Sequence, residues 1–277
     1  MAFLTSLRDL GSSRELVGNL TLREVRGKYK RTALGQLWSL LNPLATMVIF
    51  TVVFGVLLRV EVPPGSPSGI DVFALWLMCG LIPWTFMSNA VTSGMSALVA
   101  NANLVTKVYF RREVLVAANV FSWDVTFGIE LLVLSAALLA FGAMVLPWLP
   151  LVIVFGLVLT AFGLGLALML AVANVYFRDT QHFLSIFMQF WFYATPIVYP
   201  ATLVPDSTEL LGVQVPLRTL YELNPMEHFV AVFRALLYDN RFPELGDVIF
   251  TVGAATVALL AGWTIFRRYE PRLAEEL

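Results

Sequence analysis

The sequence predicts an all-α integral membrane protein. It reads as six transmembrane helices, an N-terminal interfacial helix before them, and re-entrant gate helices on the outer side before the last span. Three observations predict this. The 277 residues are 58% hydrophobic and only 13% charged, with mean hydropathy +0.79, more apolar than a soluble domain of this size needs. The apolar residues gather into six runs, each near the ~20 residues that a bilayer requires. The cations are partitioned: of 18 Lys and Arg, all but Arg59, Arg218, Arg234 and Arg241 fall in 1–42, 101–113, 175–182 and 267–277. That bias puts those segments, and both termini, in the cytoplasm.

Residues 1–42 form a cytoplasmic segment. Arg8, Asp9, Arg14 and Glu15 interrupt any signal-peptide core there. Arg23, Arg26, Lys28, Lys30 and Arg31 cluster just before the first apolar run, and Leu22, Val25 and Tyr29 recur at i, i+3 and i+7. Such a helix can lie in the interface with its cations toward anionic headgroups. The spans are read at 44–58, 72–90, 115–140, 151–175, 183–199 and 248–266. A Pro/Gly/Ser loop at 62–69 and a Pro-bounded turn at 144–150 separate pairs of them. The whole chain, 1–277, is one transmembrane domain, with the six spans in 43–266 and a tail at 267–277.

Two loops are more than connections. Asn101, Leu104, Lys107, Phe110 and Glu113 repeat every three residues between spans two and three. This predicts a short amphipathic cytoplasmic helix suited to docking in a partner's groove. On the outer side, 200–247 is too polar to span and too apolar for a free loop. Phe229, Val232, Phe233 and Leu236 line one helical side of it, which predicts short helices dipping into the outer leaflet. Irregular backbone at that depth must be buried in protein or line a wet cavity.

Several chemistries are excluded. Cys79 is the only cysteine, so neither an internal disulfide nor a cysteine metal site can form. The two histidines, His182 and His228, fall near opposite faces, and no metal site is expected. Asp124 and Glu130 lie inside span three, six residues apart and on different helical faces, which excludes an acid–base pair; they are read as structural pairing or hydration sites. The three lysines precede Tyr29, Arg31 and Val108. No P-loop Gly-Lys-Ser/Thr therefore exists, and ATP-driven work must come from a partner.

The fifth run is aromatic. Phe183, Phe187, Phe190, Trp191, Phe192, Tyr193 and Tyr199 fall within 17 residues. Such a run is either lipid-facing bulk with an interfacial belt or, since rigid, amphipathic rings can stack against sugar faces without a fixed polar pattern, a surface suited to a polymer that slides. Thr195-Pro196 follows, and Pro196 removes a helix hydrogen bond, so the helix should kink or break there.

The order of these motifs resembles one family, the membrane subunits of ABC-2 type polysaccharide exporters, which have the type V exporter fold. The residues that carry the resemblance begin with Tyr29, Lys30, Arg31, Leu34, Gly35, Trp38, Leu41 and Pro43. They continue with Leu81-Ile-Pro-Trp84, the pattern from Asn101 to Glu113, Thr195-Pro196 and Asn224-Pro225. Arg111 stands where the family often has Pro, which changes the exit of that helix.

The resemblance implies a homodimer of this chain with two copies of a separate ATP-binding subunit. That subunit would bind ATP and Mg, leaving no cofactor in this chain. The substrate is a lipid-linked glycan, membrane lipids surround the complex, and no nucleic acid is among its partners. The complex sits in the bacterial cytoplasmic membrane. Tyr29, Lys30, Arg31 and Trp38 serve the interfacial helix. Asn101, Leu104, Lys107, Phe110 and Glu113 couple to the ATPase. Phe187, Trp191, Thr195, Pro196, Tyr199, Asn224 and Pro225 form channel and gate. O-antigen, capsule, teichoic acid and galactan exporters share these features. Fifteen Arg against three Lys points to a GC-rich organism and so to a cell-wall galactan. Export of a drug or small glycolipid, or a membrane enzyme of lipid-linked sugar synthesis, stands as the alternative.

Overall fold

The computed structural model describes residues 14–28, 30, 32–58, 63–108, 110–210, 213–273 and 275–277. Tyr29 and Arg31 of the predicted interfacial cluster lie outside them. Among the described residues the regular structure is helical apart from one antiparallel pair of strands, β1 (Thr208–Leu210) and β2 (Val213–Val215), with Glu209 opposite Gln214.

Five helices of the described residues are long and apolar enough to cross a membrane. The first is α2 (Trp38–Phe50), which continues as a π-helix over Thr51–Leu57. It starts six residues before the predicted 44 because Pro43 sits inside the helix rather than bounding it. α3 (Phe73–Ala100), α5 (Glu113–Ala140), α6 (Leu149–Tyr176) and α10 (Leu245–Tyr269) are the other four. The short helix α4 (Ala102–Lys107) joins α3 to α5.

The predicted fifth span is different. α7 runs Thr180–Tyr193, 14 residues, or about 21 Å, against a hydrocarbon core of about 30 Å. Thr195 precedes a proline, which disfavours its helical conformation, and Pro196 cannot donate into the ladder. The helix therefore ends before 194 and does not reach the predicted 199. Among the described residues, five helices thus have spanning length, and the predicted fifth span is the shorter α7.

The core is built around α3, which is buried along most of its length and packs against α5, α6, α7 and α9 (Pro225–Arg234). α6 and α10 make the most intimate helix pair. Gly165 and Gly262 meet there, and a Cβ on either would overlap the other helix's backbone, so only glycine permits this approach. α9 is the predicted re-entrant element. Asn224 caps it by accepting from the Met226 amide at 3.1 Å, Pro225 opens it, and Glu227 lies in its first turn, each favourable at a helix N-terminus. Phe229, Val232, Phe233 and Leu236 are fully buried, with Phe229 against Phe162 and Phe233 against Phe127.

The N-terminal helix α1 (Arg14–Lys28) packs against α5. Leu20 is buried while Leu22, expected on the apolar face, is 45% exposed. The Lys28 ammonium donates to the Ser122 carbonyl at 2.9 Å and lies 3.4 Å from the Trp123 ring centroid. Ser122 is nine residues into α5, about 14 Å from its start, so the C-terminal end of α1 packs beside the second and third turns of α5.

Candidate functional site

The predicted gate residues converge on the turn after α7. Thr195 and Pro196 are buried at that turn. The Trp191 indole N–H donates to the Asn224 side-chain oxygen at 2.7 Å. The Asn224 amide nitrogen donates to the Ala194 carbonyl at 3.1 Å and to Thr195 Oγ1 at 2.9 Å. Thr195 in turn donates to the Trp191 carbonyl at 2.8 Å. One asparagine thus ties the broken end of α7 to the start of α9, a tie of the kind that buried backbone left by a proline break requires. Tyr199 donates to the Tyr193 carbonyl at 2.6 Å and meets the hydroxyl of Tyr221, from α8 (Leu217–Glu222). Burial and that contact push the Tyr199 phenol well above its ordinary value.

Arg234, at the end of α9, completes the turn. Its two terminal nitrogens donate to the carbonyls of Pro196 and Ile197, each at 2.7 Å, and the guanidinium lies 3.6 Å from the Trp76 ring centroid. The sequence reading named Arg234 only as an outer-side cation and Trp84 only within the Leu81–Trp84 motif, and placed neither of them, nor Trp76, at the gate. The signal was there: Arg234 is a lone cation between Phe233 and Ala235 in an otherwise apolar stretch, where a charge needs a specific partner. Trp84 packs edge-on to Trp191 with centroids 5.7 Å apart.

The aromatic face of α7 divides. Trp191 and Phe192 turn inward onto Trp84. Phe183, Phe187, Phe190 and Tyr193 are exposed on the chain's surface, Phe187 beside Trp191 with centroids 5.3 Å apart. Trp191, one of the predicted channel and gate residues, is anchored in the turn.

The predicted docking segment is shorter than its three-residue repeat. Asn101 ends α3, donating to the Ala97 carbonyl at 2.9 Å and accepting from Arg23 of α1 at 3.0 Å. Leu104 packs partly on the core and Lys107 is exposed. Val108 is extended, with φ −125° and ψ 132°, so α4 stops there. Phe110 is half-buried, and Glu113 is the first residue of α5, 2% exposed and 3.9 Å from both Arg111 and Arg267. Glu113 therefore does not share a surface with Lys107. A cavity of about 730 Å³ runs between Lys107, Phe110, Arg112 and the C-terminal Arg267, Glu270 and Pro271, and Arg112 donates to the Glu270 carbonyl. The involvement of the C-terminal end was not legible.

Of the interfacial cluster, Lys30 is exposed and Trp38 opens α2. Burial pushes the Lys28 ammonium down to about 8, against the pull of Glu24, Glu130 and Asp124. Asp124 also accepts from Thr160 at 2.6 Å. The two intramembrane carboxylates thus sit within the field of one cation on α1.

A cluster that the sequence reading did not foresee joins α9 to α10. His228 Nδ1 is 2.7 Å from Asp247 Oδ1 and 3.5 Å from Glu227 Oε2, and its Nε2 is 2.8 Å from the Glu222 carbonyl. Asp247 lies 19 residues from His228, a pairing that only the tertiary fold makes.

Comparison with known proteins places this geometry. The family described as ABC-2 type transporter matches residues 15–238. The O-antigen export system permease protein RfbA of Myxococcus xanthus is 30% identical, with 98% of each chain aligned. An O-antigen export system permease protein RfbA of Klebsiella pneumoniae is 26% identical over 97% of each chain. The polysialic acid transport protein KpsM of Escherichia coli is 24% identical over 91% of this chain and 92% of its own. With the match running from α1 through α9 and the full-length likeness to permeases, the chain is a member of the ABC-2 type transporter family, a multi-pass membrane protein.

Proposed function

We propose that this chain is the transmembrane subunit of an ATP-driven exporter of a lipid-linked polysaccharide in the bacterial cytoplasmic membrane. The observation that carries the reading is the full-length likeness to permeases named for O-antigen export and polysialic acid transport. The exposed aromatic face of α7, leading to a turn held by side chains, supports it: stacking surfaces bind sugar rings without fixing their register.

In this reading two copies pair, and their α7 helices line the channel with Phe187. Trp191, Thr195, Pro196, Tyr199, Asn224 and Pro225 hold the outer gate. A separate ATP-binding subunit, carrying ATP and Mg, docks on Asn101, Leu104, Lys107 and Phe110, with Tyr29, Lys30, Arg31 and α1 beside it. Both termini are cytoplasmic. Among polysaccharides, the arginine-rich composition favours a cell-wall galactan.

The test is a pull-down of the detergent-solubilised chain from its native host, followed by an ATPase assay. An equimolar P-loop subunit with vanadate-sensitive hydrolysis is expected, together with lipid-linked glycan in the co-purified lipid. Recovery of the chain alone, without ATPase activity, would overturn the reading.

A further inference from the structure

The residues at the start of α9 and α10 have a use that gating does not account for. Glu227, His228 and Asp247 offer ligand atoms that all lie within 4.8 Å of one another. They line a polar cavity of about 410 Å³, on the face opposite the Asn101–Lys107 segment. The Glu222 carbonyl can only accept, so His228 Nε2 carries a proton and Nδ1 is left facing the two carboxylates. A second nitrogen anchored on a backbone carbonyl is the usual support of a metal-bound histidine. The Phe250 ring, centroid 4.1 Å away and stacked, fixes the imidazole plane further.

Charge points the same way. The cavity's arginines are engaged elsewhere: Arg218 with Asp206 and Glu222, Arg241 with Asp239, and Arg234 with the Pro196 and Ile197 carbonyls. Among the described residues, only His228 pairs with Glu227 and Asp247. One proton on His228 leaves a negative charge, whereas a divalent cation beside a neutral imidazole leaves none. The distances allow it. Metal–ligand lengths of about 2.0–2.2 Å in a tetrahedral zinc site put ligand atoms about 3.3 Å apart, and the observed 2.7 and 3.5 Å bracket that value.

We propose that Glu227, His228 and Asp247 form a site for a divalent transition-metal ion, zinc-like in its one-nitrogen, two-oxygen donor set, with a coordination position open to the cavity. A bound ion would staple the re-entrant helix α9 to the last span α10, beside the turn that Arg234 holds. This does not depend on the identity of the cargo.

The test uses the full chain in detergent, purified with a histidine-free tag, stripped with chelator and titrated with Zn²⁺ by calorimetry, with bound metal counted by mass spectrometry. Wild type is expected to take up one ion per chain and to gain thermal stability on binding. H228Q and D247N should bind at least about tenfold more weakly, the loss typical of a removed ligand or its support, while H182Q binds as wild type. E227Q, which removes the third ligand, should weaken binding in the same way, and size-exclusion profiles keep the comparison to folded protein. Equal uptake by wild type, H228Q and D247N would overturn the site, as would no uptake by the folded wild type. A wild type that ignores Zn²⁺ but loses its pH response in H228Q would assign the cluster to a bound proton instead.

Discussion

The guanidinium of Arg234 holds the carbonyl of Pro196 at 2.7 Å. These residues are 38 apart in sequence, and neither position makes sense without the other. Pro196 ends α7 and leaves carbonyls without helical donors. Arg234 supplies two parallel N–H groups to Pro196 and Ile197 while its flat face rests on Trp76. A fork-shaped cation suits this task where a point charge does not.

Arg234→Lys should therefore fail although the charge is kept. A lysine cannot reach both carbonyls in one plane or stack on Trp76 in the same way. Charge-assisted hydrogen bonds are worth about 1.5–3 kcal/mol each, so a loss of about 2 kcal/mol or more is expected, read as a drop in thermal midpoint in detergent. A lysine variant with wild-type stability and transport would show that the turn holds without the fork.

Asn224→Ala removes the cap of α9 and the links to Trp191, Ala194 and Thr195 at once. A lost cap alone costs about 1 kcal/mol, and the stranded Trp191 N–H adds to it. The outer segment should loosen, which limited trypsin digestion reads directly at Arg218, an exposed arginine in α8. Faster cleavage there is expected in Asn224→Ala, with Trp191→Phe intermediate because it keeps the ring against Trp84. Unchanged cleavage in both variants would mean that the turn is not held by this network.

The Lys28 anchor predicts a pH response. Its ammonium falls from 10.5 to about 8 in the folded chain because burial penalises the charge. Between about pH 8 and 10.5 the unfolded chain then binds more protons than the folded one, so this group makes stability rise with pH across that window. Lys28→Met should flatten the rise. The check is the difference between the wild-type and Lys28→Met midpoints from pH 7.5 to 10. A parallel course of the two would place Lys28 in solvent.

What was legible follows from which constraint acts locally. Hydrocarbon thickness fixes span length, so α5, α6 and α10 could be read from apolar runs to within three residues at each end, whereas α3 continues to Ala100, past the predicted 90; Pro196 announced its own break. The first span was read short because Pro43 looks like a boundary, yet within a membrane helix neighbouring groups can compensate for it. The three-residue repeat from Asn101 to Glu113 fits one continuous helix, but Val108 turns extended and divides it. Arg234 with Pro196, and His228 with Asp247, are long-range pairings between elements; no spacing rule reaches across 38 or 19 residues.

The division at Val108 separates two residues that the repeat had joined. Lys107 is exposed, whereas Glu113 is buried at the start of α5, 3.9 Å from Arg267. A surface lysine away from fixed partners usually changes stability by less than about 0.5 kcal/mol. Removing the buried Glu113 carboxylate costs more, through the lost ion pairs to Arg111 and Arg267 and the lost helix-dipole contact. Lys107→Ala should thus keep the wild-type midpoint while lowering ATP hydrolysis or export in the complex with an ATP-binding subunit, as a docking residue would. Glu113→Ala should lower the midpoint first, with any loss of transport following from that. If Glu113→Ala is as stable as wild type yet fails in coupling, its carboxylate must reach the partner, and the burial seen in the single chain would have to open on assembly.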